Sequence, residues 1–427
     1  MIEIIPENGQ LIEEDVCLRP GTYYLPDGLT VTASHITVEG NGAVLVGEKG
    51  SGRGLTIASQ NHVTIQNVEL QGYYHGLYAE DCHHLTIDHC QVRHTAEVTA
   101  NTLFLNIWLP AGQAYGGGIL LHRVQHSHLS HNDLQHQMNG LLTYHCRELT
   151  VTENLANYCS GFGFHLYDTS YSRFEANYAD YCCRYEPRGV RYGHLGADAA
   201  GFLMVYGSSH NLFRGNYARM GGDGFFVAGL PPGATQVVGC NHNVFEENDG
   251  SYSPNIAFEA TFCQGNRFRN NYASYCNYGF WLGFSHDHVL ENNRLVGNRQ
   301  AGIGVENGFN MTVRHNQFRR NQHALLLWSK YVADFAQAVP ENDTSRDWLI
   351  EENELTENWV GIRIAADQDH GIRPLPAGTP PTPRPHHHTI RHNHFTNNRL
   401  AIELFQTDDT ELDNNKLTGN GLDLNQW

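Results

Sequence analysis

The chain has 427 residues, of which 40% are apolar and 17% charged, and it carries a net charge of −18 at pH 7. That composition is globular, and its acidity argues against nucleic acid or an anionic membrane as partner, since both need a basic field. No apolar run approaches the roughly 20 residues of a spanning helix, and Met1 runs directly into Ile2-Glu3-Ile4-Ile5-Pro6 with no export pattern, so a cytoplasmic location is expected.

In chain order, residues 1–34 read as an N-terminal cap and first coil. They contain Leu18-Arg19-Pro20-Gly21-Thr22-Tyr23-Tyr24, and Ile36-Thr37-Val38-Glu39-Gly40-Asn41-Gly42-Ala43-Val44-Leu45 follows. From there one phrase recurs: an aromatic or aliphatic residue, two polar residues, Asn, any residue, then an apolar or small one. Phe174-Glu175-Ala176-Asn177-Tyr178-Ala179, Phe213-Arg214-Gly215-Asn216-Tyr217-Ala218 and Phe268-Arg269-Asn270-Asn271-Tyr272-Ala273 are examples. Its asparagines run Asn132, Asn154, Asn177, Asn216, Asn248, Asn271, Asn293, Asn316, Asn353, Asn393 and Asn415, and uninterrupted steps are 22 or 23 residues.

That period fits one coil of a parallel β-helix: three short strands with a turn at each corner. The expected fold is all-β, a single right-handed parallel β-helix of about fourteen coils over residues 1–427. The Asn column should form an amide ladder, and Phe174, Phe213, Phe245 and Phe268 an interior aromatic stack. Cys159, Cys182 and Cys276 each end an Asn-x-x-x-Tyr-Cys phrase, so the ten cysteines read as buried, reduced thiols rather than as a disulfide framework.

The opening segment and the later coils together resemble the pectate-lyase-like parallel β-helix superfamily of carbohydrate-active proteins. The resemblance covers nearly the whole chain and implies the fold. It leaves the activity open, because lyases, hydrolases, epimerases and proteins without known chemistry share that scaffold.

Longer steps mark loops near 96–117, 184–197, 230–239, 330–345 and 366–386, and long loops on a rigid scaffold are where function concentrates. Alignment of the strand after each Asn corner points the Phe164 and Leu166 columns inward and the His165 and Tyr167 columns outward. The column headed by Gly140 and Gly163 is either a smooth floor for a sugar or a corner that tolerates only small residues. A cleft is therefore expected on the outer face of coils five to nine.

Asp198, Asp223 and Glu259 come from three successive coils, which suits the two carboxyls of a glycoside hydrolase, about 5–10 Å apart. His165 and His194 complete the candidate catalytic set. Arg184, Arg188, His122, Tyr144, Tyr167, Tyr206 and Trp281 are the candidate substrate-binding residues. Gly222-Asp223-Gly224 lacks the second Asp of the Gly-x-Asp-Asp phrase in polygalacturonase-type β-helix hydrolases, so catalytic roles do not transfer from that group. A uronate-directed lyase or epimerase using Arg, His and Tyr is the second reading. None of the three lysines (Lys49, Lys330, Lys416) is near the cleft to act as base. A non-catalytic glycan-binding or scaffold solenoid is the third. An oligo- or polysaccharide is the expected partner. No cofactor is expected, and no metal either, since the 27 histidines fall mainly at repeating turn positions and His386-His387-His388 reads as surface.

Overall fold

Each coil is built from residues that alternate between the two faces of a pleated strand, so every second side chain is delivered to the interior. The computed structural model describes residues 1–99, 102–184, 199–368, 378 and 381–427. By contact it divides into two units, Met1–Asp223 and Gly224–Trp427.

In the first unit, three strands repeat per coil. Thr64–Gln66, Glu69–Gln71 and His75–Glu80 are followed one coil on by Thr86–Asp88 and Gln91–Arg93, and then by Gly117–His122 beyond an insertion. Each strand pairs in parallel with its counterpart, as in Thr64↔Thr86, Glu69↔Gln91 and His75↔Gly117. The second unit repeats the pattern, for example in Arg267–Arg269, Val289–Glu291 and Thr312–Arg314. Its longest strands include Ile256–Thr261, Ala301–Glu306 and Val360–Ala365. The described strands number sixteen in each of the two main sheets, in keeping with the expected solenoid of about fourteen coils.

The Asn column is a buried amide ladder. In the first unit Asn132 Nδ2 donates to Asn154 Oδ1 (2.8 Å), Asn154 to Asn177 (3.0 Å) and Asn177 to Asn216 (3.0 Å). In the second, Asn248 through Asn415 continues the pattern, with 3.0 Å from Asn293 to Asn316 and 2.9 Å from Asn353 to Asn393. A second ladder in that unit, Asn298–Asn321–Asn358–Asn398–Asn420, is a finding beyond the sequence reading. Phe174 stacks on Phe213 (5.2 Å) and Phe245 on Phe268 (4.8 Å), each with fully buried companions such as Phe202 and Phe258.

All ten cysteines are free, and Cys159, Cys182 and Cys276 are buried. Several corner histidines do more than face solvent. His35, His62, His84 and His126 stack ring on ring at 4.6, 4.6 and 5.3 Å, and each holds a left-handed backbone conformation at its corner.

Candidate active site

The longest strands present a broad face of the coil, and the glycine in each of several of them decides which side chains reach it. A Cβ placed on Gly163 would lie 2.6 Å from the Ala179 Cβ and 3.3 Å from the Cys182 Sγ, both interior; at Gly302 it would meet the Phe318 ring at 2.9 Å. The glycine column therefore points inward with the Phe that follows it, and it is small because the interior is full. That finding corrects the smooth-floor reading. His165 and Tyr167 then face outward, as expected.

In the first unit much of this outer face is covered. His165 is buried with its column neighbours Leu142 and Leu203. Tyr144 is only 1% exposed. The insertion that follows Arg93 lies over the face: Tyr74 donates to the Ala114 carbonyl (2.9 Å) and Asn139 to the Gly116 carbonyl (2.8 Å). The backbone of Ile107 lies against His165, but neither ring nitrogen makes a hydrogen bond of ordinary geometry. Burial holds the His165 pKa down at about 4, so it is a neutral ring packed edge-on to Tyr144 (5.4 Å) and tilted against Phe162 (5.4 Å). His165 and Tyr144 are thus inner supports of the face rather than open sugar contacts. Arg184 is buried too, and its Nη2 donates to the Thr99 carbonyl at 3.4 Å. Asp223 begins the strand Asp223–Ala228, takes the Ala199 carbonyl through its backbone N–H (3.0 Å) and is 1% exposed. Arg188, His194 and Asp198 lie outside the described residues.

At the edge of the covered face sits a polar cluster that the sequence reading only touched through His122. Glu80 and His122 are neighbours in one outward column, with Tyr144 and Tyr167 next along it. Glu80 accepts from Tyr78 Oη (3.0 Å), from Arg123 Nη2 (2.7 Å) and from His122 Nδ1 (3.0 Å). Partial burial opposes its ionisation, but those donors win and hold its carboxyl below the usual range. Burial, with Arg123 beside it, lowers the His122 pKa. A neutral His122 that donates Nδ1–H to Glu80 leaves Nε2 to accept from Arg123 Nη1 at 2.7 Å. Arg53 lies 3.4 Å over the Tyr78 ring. Tyr167 stacks on Tyr206 (4.5 Å), and burial raises the Tyr167 hydroxyl to about 12. Tyr206 is exposed. The step of 42 residues from Glu80 to His122 hid this pairing, because the insertion between them broke the repeat.

The second unit offers a more open arrangement. One outward column runs Phe226, Glu259, Trp281, Gly304, Leu326, Arg363 and Glu403 by register. Two residues along the strand, Glu306 and Trp328 are partners in the parallel outward column. Glu259, Trp281 and Glu306 are half-buried. Trp281 packs on Tyr278 (4.9 Å) and on Trp328 (5.4 Å). Gly304 makes room for these rings, since a Cβ there would meet Tyr278 at 2.9 Å and Trp281 at 3.6 Å. Arg363 and Glu403 form a largely shielded ion pair further along. At about 4.8 Å per coil and 3.3 Å per residue, the Glu259 and Glu306 backbones stand about 12 Å apart, with Trp281 in the coil between. Glu403 is about 24 Å from Glu259, too far to share a bond with it.

Asp88, His89 and His131 bring potential metal-ligand atoms within 4.8 Å of one another. The group is satisfied internally: His89 (2.7 Å), Ser130 (2.6 Å) and His131 (3.2 Å) all bond the Asp88 carboxylate. His388 corrects the surface reading of its triplet, since it is fully buried and burial lowers its pKa to about 3.

No curated protein matches the chain. Among solved structures, it is similar to the A-module of a mannuronan C-5 epimerase from Azotobacter vinelandii, with 14% identity over 97% of this chain and 91% of that one and a TM-score of 0.44. A periplasmic alginate epimerase shares 11% identity over 92% and 79%, with a TM-score of 0.48. The GH136 lacto-N-biosidase from Eubacterium ramulus shares 12% over 81% and 62%, with a TM-score of 0.46. The family described as "Right handed beta helix region" matches at residues 27–217, 99–250 and 232–372, well over half of the sequence. The repeating coils, the amide ladders and this match agree, and the chain belongs to the right-handed β-helix family.

Proposed function

We propose that the protein is a carbohydrate-active enzyme, a glycoside hydrolase whose substrate lies along the outer face of the 224–427 unit. The observation that carries this reading is the trio Glu259–Trp281–Glu306: two half-buried carboxyls on one face with an indole in the coil between them. An indole face binds the apolar C–H side of a sugar ring. Carboxyls to either side of that ring are what acid–base hydrolysis needs, one to protonate the leaving oxygen and one to activate water. Backbones about 12 Å apart are nearer to the wider carboxyl spacing of about 6.5–9.5 Å used with inversion at the anomeric carbon than to the shorter spacing used with retention. Trp328 and Tyr278 hold the Trp281 ring in place, so the platform is preorganised.

A second reading, action on uronates by elimination or epimerisation, is favoured by the Glu80–His122–Arg123 cluster. Glu80 fixes the His122 tautomer, and Nε2 is held by Arg123. A substrate carboxylate that draws Arg123 to itself would free Nε2 to take the adjacent ring proton. A glycan library read by mass together with proton NMR, which sees a change of configuration that mass does not, separates the two. Hydrolysis adds one water per bond cleaved, elimination adds none and leaves an unsaturated sugar, and epimerisation leaves the mass unchanged. A product gaining water, lost in Glu259→Gln, supports the first reading; a mass-neutral conversion lost in His122→Ala replaces it with the second.

A further inference from the structure

The loop 230–239 and the insertion that follows Ser329 meet at one edge of the 224–427 unit, where the chain turns out of its longest strands. Phe262 and Phe284 occupy successive corners and stack at 5.2 Å. Phe335, from the short helix Ala333–Ala336, packs edge-on against both, at 4.9 and 4.8 Å. Asn342 is buried, and its Nδ2 donates to the carbonyls of Asn307 (2.9 Å) and Ser285 (3.4 Å). These contacts pin the insertion to the coil, so the half-open space beside it has fixed walls.

That space is a cavity of about 180 Å³, below the roughly 300–1,000 Å³ of pockets for drug-sized ligands, which limits an occupant to about one ring. Asn241, Gln264, His286, Glu341 and Asn342 line it together with the two corner phenylalanines. His286 is oriented by Asp287 at Nδ1 (2.7 Å) and by stacking on Phe309 (4.6 Å). Among the described residues no lysine or arginine lines the cavity, and Glu341 is the carboxylate in its lining, so an anionic ligand is disfavoured. Amides, an imidazole and a carboxylate offer both donors and acceptors for vicinal hydroxyls, and phenylalanine rings suit the C–H face of a sugar.

We infer that this cavity binds one neutral pyranose residue, either the end of a glycan chain or a free monosaccharide. The ligand class rests on the glycan-directed reading; the pocket itself does not use Glu259 or Glu306. The test is titration of the full chain with glucose, galactose, mannose, N-acetylglucosamine and galacturonate, followed by NMR and calorimetry. At least one neutral sugar should saturate and galacturonate should not. Gln264→Ala and Glu341→Ala should each weaken that binding at least tenfold, with a wild-type melting temperature. Glu259→Gln should bind the monosaccharide as wild type does, so loss of turnover and loss of this pocket are distinguishable. If an oligosaccharide ending in the preferred sugar binds more tightly than the sugar alone, the occupant is a chain terminus; equal affinity makes it a free sugar. Absence of saturation by any neutral sugar, or unaltered binding in both variants, overturns the inference.

Discussion

Asn271 donates Nδ2–H both to Asn293 Oδ1 (3.1 Å) and to the Phe245 carbonyl (3.0 Å), while its own Oδ1 receives the backbone N–H of Asn248 (2.9 Å). One buried amide thus ties three coils together. Asn271→Leu leaves the Asn248 N–H and the Phe245 carbonyl buried without these partners. At about 1–3 kcal/mol for each orphaned group, the loss should total about 3 kcal/mol. A urea titration followed by circular dichroism should show the midpoint fall clearly; an unchanged midpoint would mean that the ladder is not structural.

The thiols give a simpler check. Cys17 and Cys183 are partly accessible and the other eight are buried, with burial raising Cys90 and Cys146 to about 12. A thiol reagent at neutral pH should therefore react quickly with two groups in the native protein and with about ten in denaturant. Fast reaction of more than two would place the buried column nearer the surface than the structure does.

How much of this was legible in sequence follows from what repeats. The Asn ladder and the Phe stack were readable because coil geometry puts one residue type at one place every 22 or 23 residues. The pairing of Glu80 with His122 and of Arg363 with Glu403 was not, since insertions stretch those steps to 42 and 40. Burial of the outer face at His165 and Tyr144 was also invisible, because alternation tells which face a side chain takes but not whether an insertion from elsewhere covers that face. For the glycine column alternation left two readings open, and the small-residue one holds: a Cβ on Gly163 would run into Ala179 and Cys182, contacts that no count along a single strand displays.

Catalysis should depend on the two carboxyls and the indole in different ways. Glu259→Gln and Glu306→Gln keep volume and remove a charge, so turnover on the substrate found by library screening should fall at least about 10²-fold. Trp281→Ala should act mainly on KM through the lost ring contact. Circular dichroism should show all three folded. Wild-type turnover in either carboxyl variant would remove that residue from the acid–base pair.

His165 allows a prediction in which stability and activity part company. Its folded pKa of about 4 lies below the ordinary value of 6.5 because burial disfavours the charged ring. The unfolded chain therefore binds the extra proton first as pH falls below about 6.5. Its contribution to stability is present in full above that pH and declines between pH 6.5 and about 4, where the folded form also protonates. The same sign holds for His75, at about 4. His165→Leu places a leucine between Leu142 and Leu203, a column that already accepts that side chain at both neighbouring rungs. Thermal melts at pH 7 should match or exceed those of the wild type, and the drop between pH 6.5 and 4.5 should be shallower. Turnover should persist, since a ring sealed under the Ile107 segment does not reach a sugar on the open face. A variant that melts normally yet loses turnover at every pH would return His165 to the catalytic set and require the covering segment to open during the reaction.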